Sequence, residues 1–144
     1  MRKARTKSGY VNIMPADGIC LYCGARAYIE DHALPYSHKD MVSAQFQKVL
    51  VFACEECNAI LSNSVQHTLG ERIRVAKQRL ASRYSKTLAI PTWSIQELCE
   101  LEENMRDYVF AGLQRKQWVE QRLAFDYFVW VKLGKPQDML PSLR

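Results

Sequence analysis

Cys20-Leu21-Tyr22-Cys23 and Cys54-Glu55-Glu56-Cys57 decide how this chain is read, because one spacing occurs twice with 30 residues between the copies. A C-x2-C turn aims two thiolates at one point, and two such knuckles complete the tetrahedral four-sulfur shell that suits zinc. Four thiolates leave no open coordination position, so this metal is structural and pins the ends of the intervening loop. Two disulfides, or four unrelated thiols, are the alternatives. Disulfides belong to secreted chains, and nothing in the composition suggests secretion. Cys99, the fifth cysteine, falls at an apolar helical position and is expected in the core.

Outward from the knuckles, the chain has the means to build a core: 144 residues, of which 48% are hydrophobic. The net charge of +5 and a pI near 9.0 favour a polyanionic partner. No apolar run approaches the roughly 20 residues of a membrane span. The basic start, with Arg2, Lys3, Arg5 and Lys7, has no apolar segment behind it and so does not resemble a signal peptide. With reduced cysteines, the expectation is a cytoplasmic protein with no membrane partner.

Local patterns divide the chain. Residues 1–14 read as a basic arm entering a short strand. Pro15 to Gly18 signals a turn, and Gly24 supplies freedom at positive φ after Cys23. Tyr28 to Asp31 and Lys48 to Ala53 read as strands; residues 36–46 read as loop or short helix. The period then changes. Thr68 and Glu71 form a capping-box pattern, and Leu69, Ile73, Ala76, Leu80 and Tyr84 recur at helical spacing, predicting a helix over 69–86. Pro91 breaks the chain. Ser94 and Glu97 open a second helix along Ile95, Leu98, Met105 and Val109, with Gly112 as an expected break. A third helix is predicted over 114–133, ended by Gly134 and Pro136. Its aromatics, Trp118, Phe125, Tyr127, Phe128 and Trp130, suit a core or a protein-partner surface.

Between the knuckles lies Asp31-His32, a carboxylate beside an imidazole. A carboxylate can hold a divalent cation, and a histidine titrating near neutrality can deprotonate water for attack on phosphorus. On the predicted helix 69–86, Arg72, Arg79, Arg83 and Lys86 share a narrow sector. Such a stripe suits phosphates, or is a solvated face.

Taken together, Cys20-x-x-Cys23-Gly24, Ile29 to Pro35 with Asp31-His32, and Ala53-Cys54-x-x-Cys57-Asn58 resemble the HNH endonuclease family with its ββα-metal fold. The resemblance covers about residues 18–75, and the stretches Asn58 to Asn63 and Gly70 to Arg72 are similar to small phage-encoded members. The resemblance implies His32 as general base, Asp31 and Asn58 as ligands of a catalytic Mg2+ or similar ion, and Cys20, Cys23, Cys54 and Cys57 as ligands of structural Zn2+. Asn58 has a second reading, as a left-handed residue that closes its knuckle as Gly24 closes the first. The family's middle asparagine is missing; the neighbourhood reads Gln47-Lys48-Val49, and Gln47 is the candidate replacement. Asn63 and His67 are weaker candidates for a metal or phosphate contact, and His38 reads as loop.

The expected architecture is therefore α+β: a basic arm over 1–14, a zinc-pinned HNH-like module over 15–88, and a helical extension over 89–144. The expected function is metal-dependent hydrolysis of DNA phosphodiester bonds. The alternatives are an inactive HNH-like zinc module that binds nucleic acid, and a phage-type interaction factor using its C-terminal helices.

Overall fold

The computed structural model describes residues 4–5, 11–12, 17–33 and 49–141. Leu34-Pro35, His38, Gln47 and most of the basic arm lie outside the described residues.

Two strands carry the fold. β3 (Ile29–His32) and β4 (Val49–Ala53) pair antiparallel, with Ile29 opposite Ala53 and His32 opposite Leu50. Two-residue strands β1 (Ala4–Arg5) and β2 (Val11–Asn12) extend the sheet in the order β1-β2-β4-β3, and β2 runs parallel to β4. Successive strand residues face opposite sides, so Asp31 turns into the protein beside the buried Val51 while its neighbour His32 is half-buried.

The two knuckles share a spacing but are built differently. The first is a turn closed by Gly24 at φ 78°, where the Gly24 amide donates to the Cys20 carbonyl at 3.0 Å. It is stitched to the sheet by the Leu21 amide on the Phe52 carbonyl at 2.9 Å. The second knuckle is the start of a helix. Cys54 caps α1 (Glu55–Leu61), its sulfur accepting the Cys57 amide at 3.4 Å, and Glu55 and Glu56 sit in the favourable first turn. Asn58 therefore lies inside α1, its amide on the Cys54 carbonyl at 3.0 Å. It is not the left-handed turn residue that one reading expected, because the helix continues through it.

α2 (Leu69–Arg83) starts on the Thr68 hydroxyl, which accepts the Glu71 amide at 3.1 Å. The helix expected over 69–86 is interrupted at Tyr84, and α3 (Ser85–Leu88) follows. α4 (Ile95–Cys99) opens on a complete capping box between Ser94 and Glu97. α5 (Glu103–Ala124) runs unbroken through Gly112, which is buried near the Ile90 side chain. The expected break falls later, where Phe125 turns extended (φ −64°, ψ 133°) and the Asp126 carboxylate caps α6 (Tyr127–Lys132). The helix predicted over 114–133 is thus the end of α5 plus α6. None of the helices among the described residues is long and apolar enough to cross a membrane.

One core joins both ends of the chain. Cys20, Leu21, Tyr22, Cys23, Val51, Ala53, Cys54, Cys57, Leu61, Ala76 and Leu80 pack in the same cluster as Phe125, Tyr127 and Trp130. Gly24 is part of the reason. A Cβ there would lie 2.7 Å from the Phe125 ring, so the missing side chain lets the C-terminal aromatics close on the first knuckle. Tyr127 donates to Asp17 at 2.7 Å and the Lys135 ammonium lies 3.3 Å from the same carboxylate, tying the entry of the knuckle to the same end of the chain. Two expectations about the middle helices fail. Cys99 is exposed, and Ile95 and Met105 are 81% and 53% exposed. α4 is a five-residue helix without a fully buried side chain; it packs on α5, leaving Leu98 half-buried while Ile95 and Cys99 reach solvent.

Candidate metal centre and the charged network around it

The sequence distance between the knuckles vanishes in the fold. The four cysteines are buried, and their sulfurs lie within 4.8 Å of one another. Cys23 Sγ and Cys54 Sγ are 3.7 Å apart. A tetrahedral zinc with bonds of about 2.3 Å has sulfur–sulfur edges of about 3.8 Å, whereas a disulfide needs about 2.05 Å. The cysteines are free thiols, and their spacing matches a shared ion. The sulfurs already compete for protons. Burial pushes the Cys20 thiol well above its ordinary value, while hydrogen bonding from Cys20 and Cys23 holds the Cys54 thiol well below it. Four buried cysteines at this distance could hold a zinc ion, the metal replacing the protons. Among the described residues, they form the one such group of three or more His, Cys, Asp or Glu side chains.

The middle residues of each knuckle bind the rest of the protein. Tyr22, from the first, donates its hydroxyl to Asp31 Oδ2. Arg72, from the first turn of α2, donates Nε to Asp31 Oδ2 and a terminal nitrogen to Oδ1, both at 3.1 Å. Its other terminal nitrogen reaches Gln66 Oε1 at 2.7 Å and the Ser64 carbonyl at 3.1 Å. Arg72 is 1% exposed and Asp31 4%. Burial alone would lower the Arg72 pKa, but the hydrogen bond to Asp31 and the nearby Tyr22 more than offset it and raise it. Burial, with Asp31 adding to it, raises the Tyr22 phenol well above its usual range.

Glu56, from the second knuckle, plays the matching part. Its Oε2 accepts the Tyr84 hydroxyl at 2.7 Å and lies 3.4 Å from Arg83 Nε, and its Oε1 accepts Arg122 at 2.6 Å. Arg122 comes from near the end of α5. Its second terminal nitrogen is 3.3 Å from Cys23 Sγ and 3.8 Å from Cys54 Sγ, and its guanidinium stacks 4.5 Å over Trp118. Burial would depress its charge, but the Cys23 sulfur and Glu56 hold its pKa above the ordinary value.

The sequence-predicted residues therefore separate. The four cysteines converge. Asp31 has both oxygens engaged by Arg72, and one of them also by Tyr22, rather than facing an open site. Arg72 is buried against Asp31 and does not share the exposed face of Arg79 and Arg83, although all three fall in one helical sector. Arg79 is exposed and donates to the Ile60 carbonyl at 2.8 Å, Arg83 is half exposed beside Glu56, and Lys86 is exposed on α3. His32 ends β3 half-buried, and Asn58 is half-buried on α1. Asn63 and His67 are exposed in the α1–α2 connection. Sequence reasoning missed Tyr22, Glu56 and Arg122. Tyr22 and Glu56 were visible as the polar residues inside the knuckles; Arg122, 99 residues from Cys23, gave no signal. Comparison of the chain with family models, with curated proteins and with solved structures finds no match.

Proposed function

We propose that this chain is a zinc-pinned HNH-like module that acts on DNA, hydrolysing phosphodiester bonds with His32 as general base. The observation that supports this is the order β3, β4, α1, fixed at the sulfur cluster. His32 is the last residue of β3 and Asn58 lies on α1, which follows β4 directly. In this reading Asn58 contributes to binding a Mg2+-like ion, Asp31 joins it only by giving up Arg72, and Arg79, Arg83 and Lys86 hold the backbone phosphates. One observation favours a second reading. The Asp31–Arg72 pair is buried and doubly hydrogen-bonded, which suits an inactive module that keeps the fold and binds nucleic acid without cutting it.

Zinc-loaded protein incubated with supercoiled plasmid in Mg2+ or Mn2+ separates the two. A nuclease nicks or linearises the plasmid, EDTA stops it, and His32→Ala slows turnover by roughly 10²–10⁴-fold. Intact plasmid in every divalent ion, with a salt-sensitive mobility shift, selects the binding module. Loss of neither cleavage nor binding in the triple Arg79/Arg83/Lys86→Ala variant would remove those residues from the interface.

A further inference from the structure

We propose that Arg122 is the electrostatic partner of the four-cysteine site, so that metal binding and the docking of α5 and α6 on the knuckles depend on each other. This rests on the cysteines holding a divalent metal and is independent of nuclease activity.

Four thiolates around a divalent ion carry a net charge of −2, and burying that charge is costly unless it is compensated. Arg122 reaches the site from the far end of the chain and is itself 2% exposed. One terminal nitrogen spans Cys23 and Cys54, at 3.3 and 3.8 Å, and so touches one sulfur from each knuckle. The other is held by Glu56 at 2.6 Å, and Trp118 covers the guanidinium face. Arg122 Nε is buried without a hydrogen-bond partner among the described residues. The side chain is thus committed through its two terminal nitrogens, to sulfur and to carboxylate, and not through a saturated polar network.

Two consequences follow. Donation of N–H groups to the thiolates withdraws charge from them and stabilises the metal-bound form. Without the metal, no ion holds the four sulfurs as a fixed anionic cluster, and the buried cation is left with Glu56 and the Trp118 and Tyr84 rings. Metal occupancy then favours the docked helix, and by reciprocity the docked helix strengthens metal binding by the same factor. Phe125, Tyr127 and Trp130 follow Arg122 into the knuckle core, so release of Arg122 loosens that end of the chain.

The full-length chain carries the test. Zinc affinity is measured by competition with a chromophoric chelator for wild type, Arg122→Gln and Arg122→Lys. Glutamine keeps much of the volume but removes the charge, and a fall in affinity of about 10–100-fold is expected. Lysine restores the charge without the planar fork and recovers part of the loss. In the cobalt-substituted protein, the thiolate-to-metal charge-transfer band shifts in Arg122→Gln, a signature that packing alone does not move. In wild type, stripping zinc accelerates protease cleavage within 89–102, ahead of α5. Wild-type zinc affinity and an unshifted cobalt band in Arg122→Gln would overturn the proposal. If that variant yields no folded protein, Arg122→Met, uncharged and of similar reach, decides, and wild-type affinity with an unshifted band there is equally fatal.

Discussion

Replacing Asp31 with asparagine separates a structural carboxylate from a catalytic one. Asparagine keeps the shape and one acceptor oxygen but removes the charge that faces Arg72. Arg72 would then be a cation at 1% exposure whose remaining partners, Tyr22, Ser64 and Gln66, are neutral. Breaking a buried pair from one side costs about 3–5 kcal/mol, against at most about 1 kcal/mol for an exposed pair. The assay is urea unfolding at fixed excess zinc, because bound metal adds to apparent stability. With a urea slope of about 2 kcal/mol per molar, the midpoint should fall by about 1.5–2.5 M. The double variant Asp31→Asn/Arg72→Met removes the stranded cation and should cost less than the sum of the single variants, by about 1–3 kcal/mol. A loss below about 1 kcal/mol in Asp31→Asn, with additive singles, would refute the buried pair and return Asp31 to the role of an open metal ligand.

Two further outcomes test the packing of the knuckles and the buried phenols. Gly24→Ala places a methyl 2.7 Å from the Phe125 ring at φ +78°; left-handed strain and overpacking together should cost about 2–5 kcal/mol, read by the same unfolding assay. Tyr22, Tyr84 and Tyr127 all have raised pKa values, first from burial and then from Asp31, Glu56 and Asp17 respectively. A phenol whose pKa is higher folded than unfolded contributes stability that is present below its unfolded pKa of about 10 and is lost as pH rises through the folded value. Unfolding midpoints should therefore decline above about pH 10, with tyrosinate absorbance from these three delayed until the protein opens. Titration of all seven tyrosines in the ordinary range while the protein stays folded would contradict this.

Much of the local structure was legible in the sequence. The equal C-x2-C spacings place four sulfurs together because a knuckle is a short-range object and the pair of knuckles leaves few other solutions. The strands either side of the loop and the caps at Thr68 and Ser94 were readable for the same reason: alternation, helical period and capping chemistry act over a few residues. The errors arose where a period has to be referred to a partner. Arg72, Arg79 and Arg83 share one helical sector, but the later two lie about 10–16 Å further along α2 at 1.5 Å per residue. Only the first turn meets Asp31, so one arginine is buried while the others reach solvent. Cys99 and Ile95 carry apolar spacing on a short helix that meets α5 and turns both of them to solvent, and Asn58 follows its cysteine as Gly24 does but continues a helix.

By itself, then, the sequence determined an α+β chain with a four-cysteine cluster, and it placed Asp31 at the end of a strand between the knuckles with His32 next to it. Tertiary structure alone decided what those residues face. Asp31 meets Arg72, because α2 packs on α1, which packs on β3, and this brings the side chain from the first turn of α2 within reach of the Asp31 carboxylate. The cluster meets Arg122, because Gly24 leaves room for Phe125 and lets the last helices close over the knuckles. Contacts spanning 41 residues in one case and 99 in the other leave no periodic trace, since they are fixed by how finished elements pack and by the cost of leaving a buried charge alone.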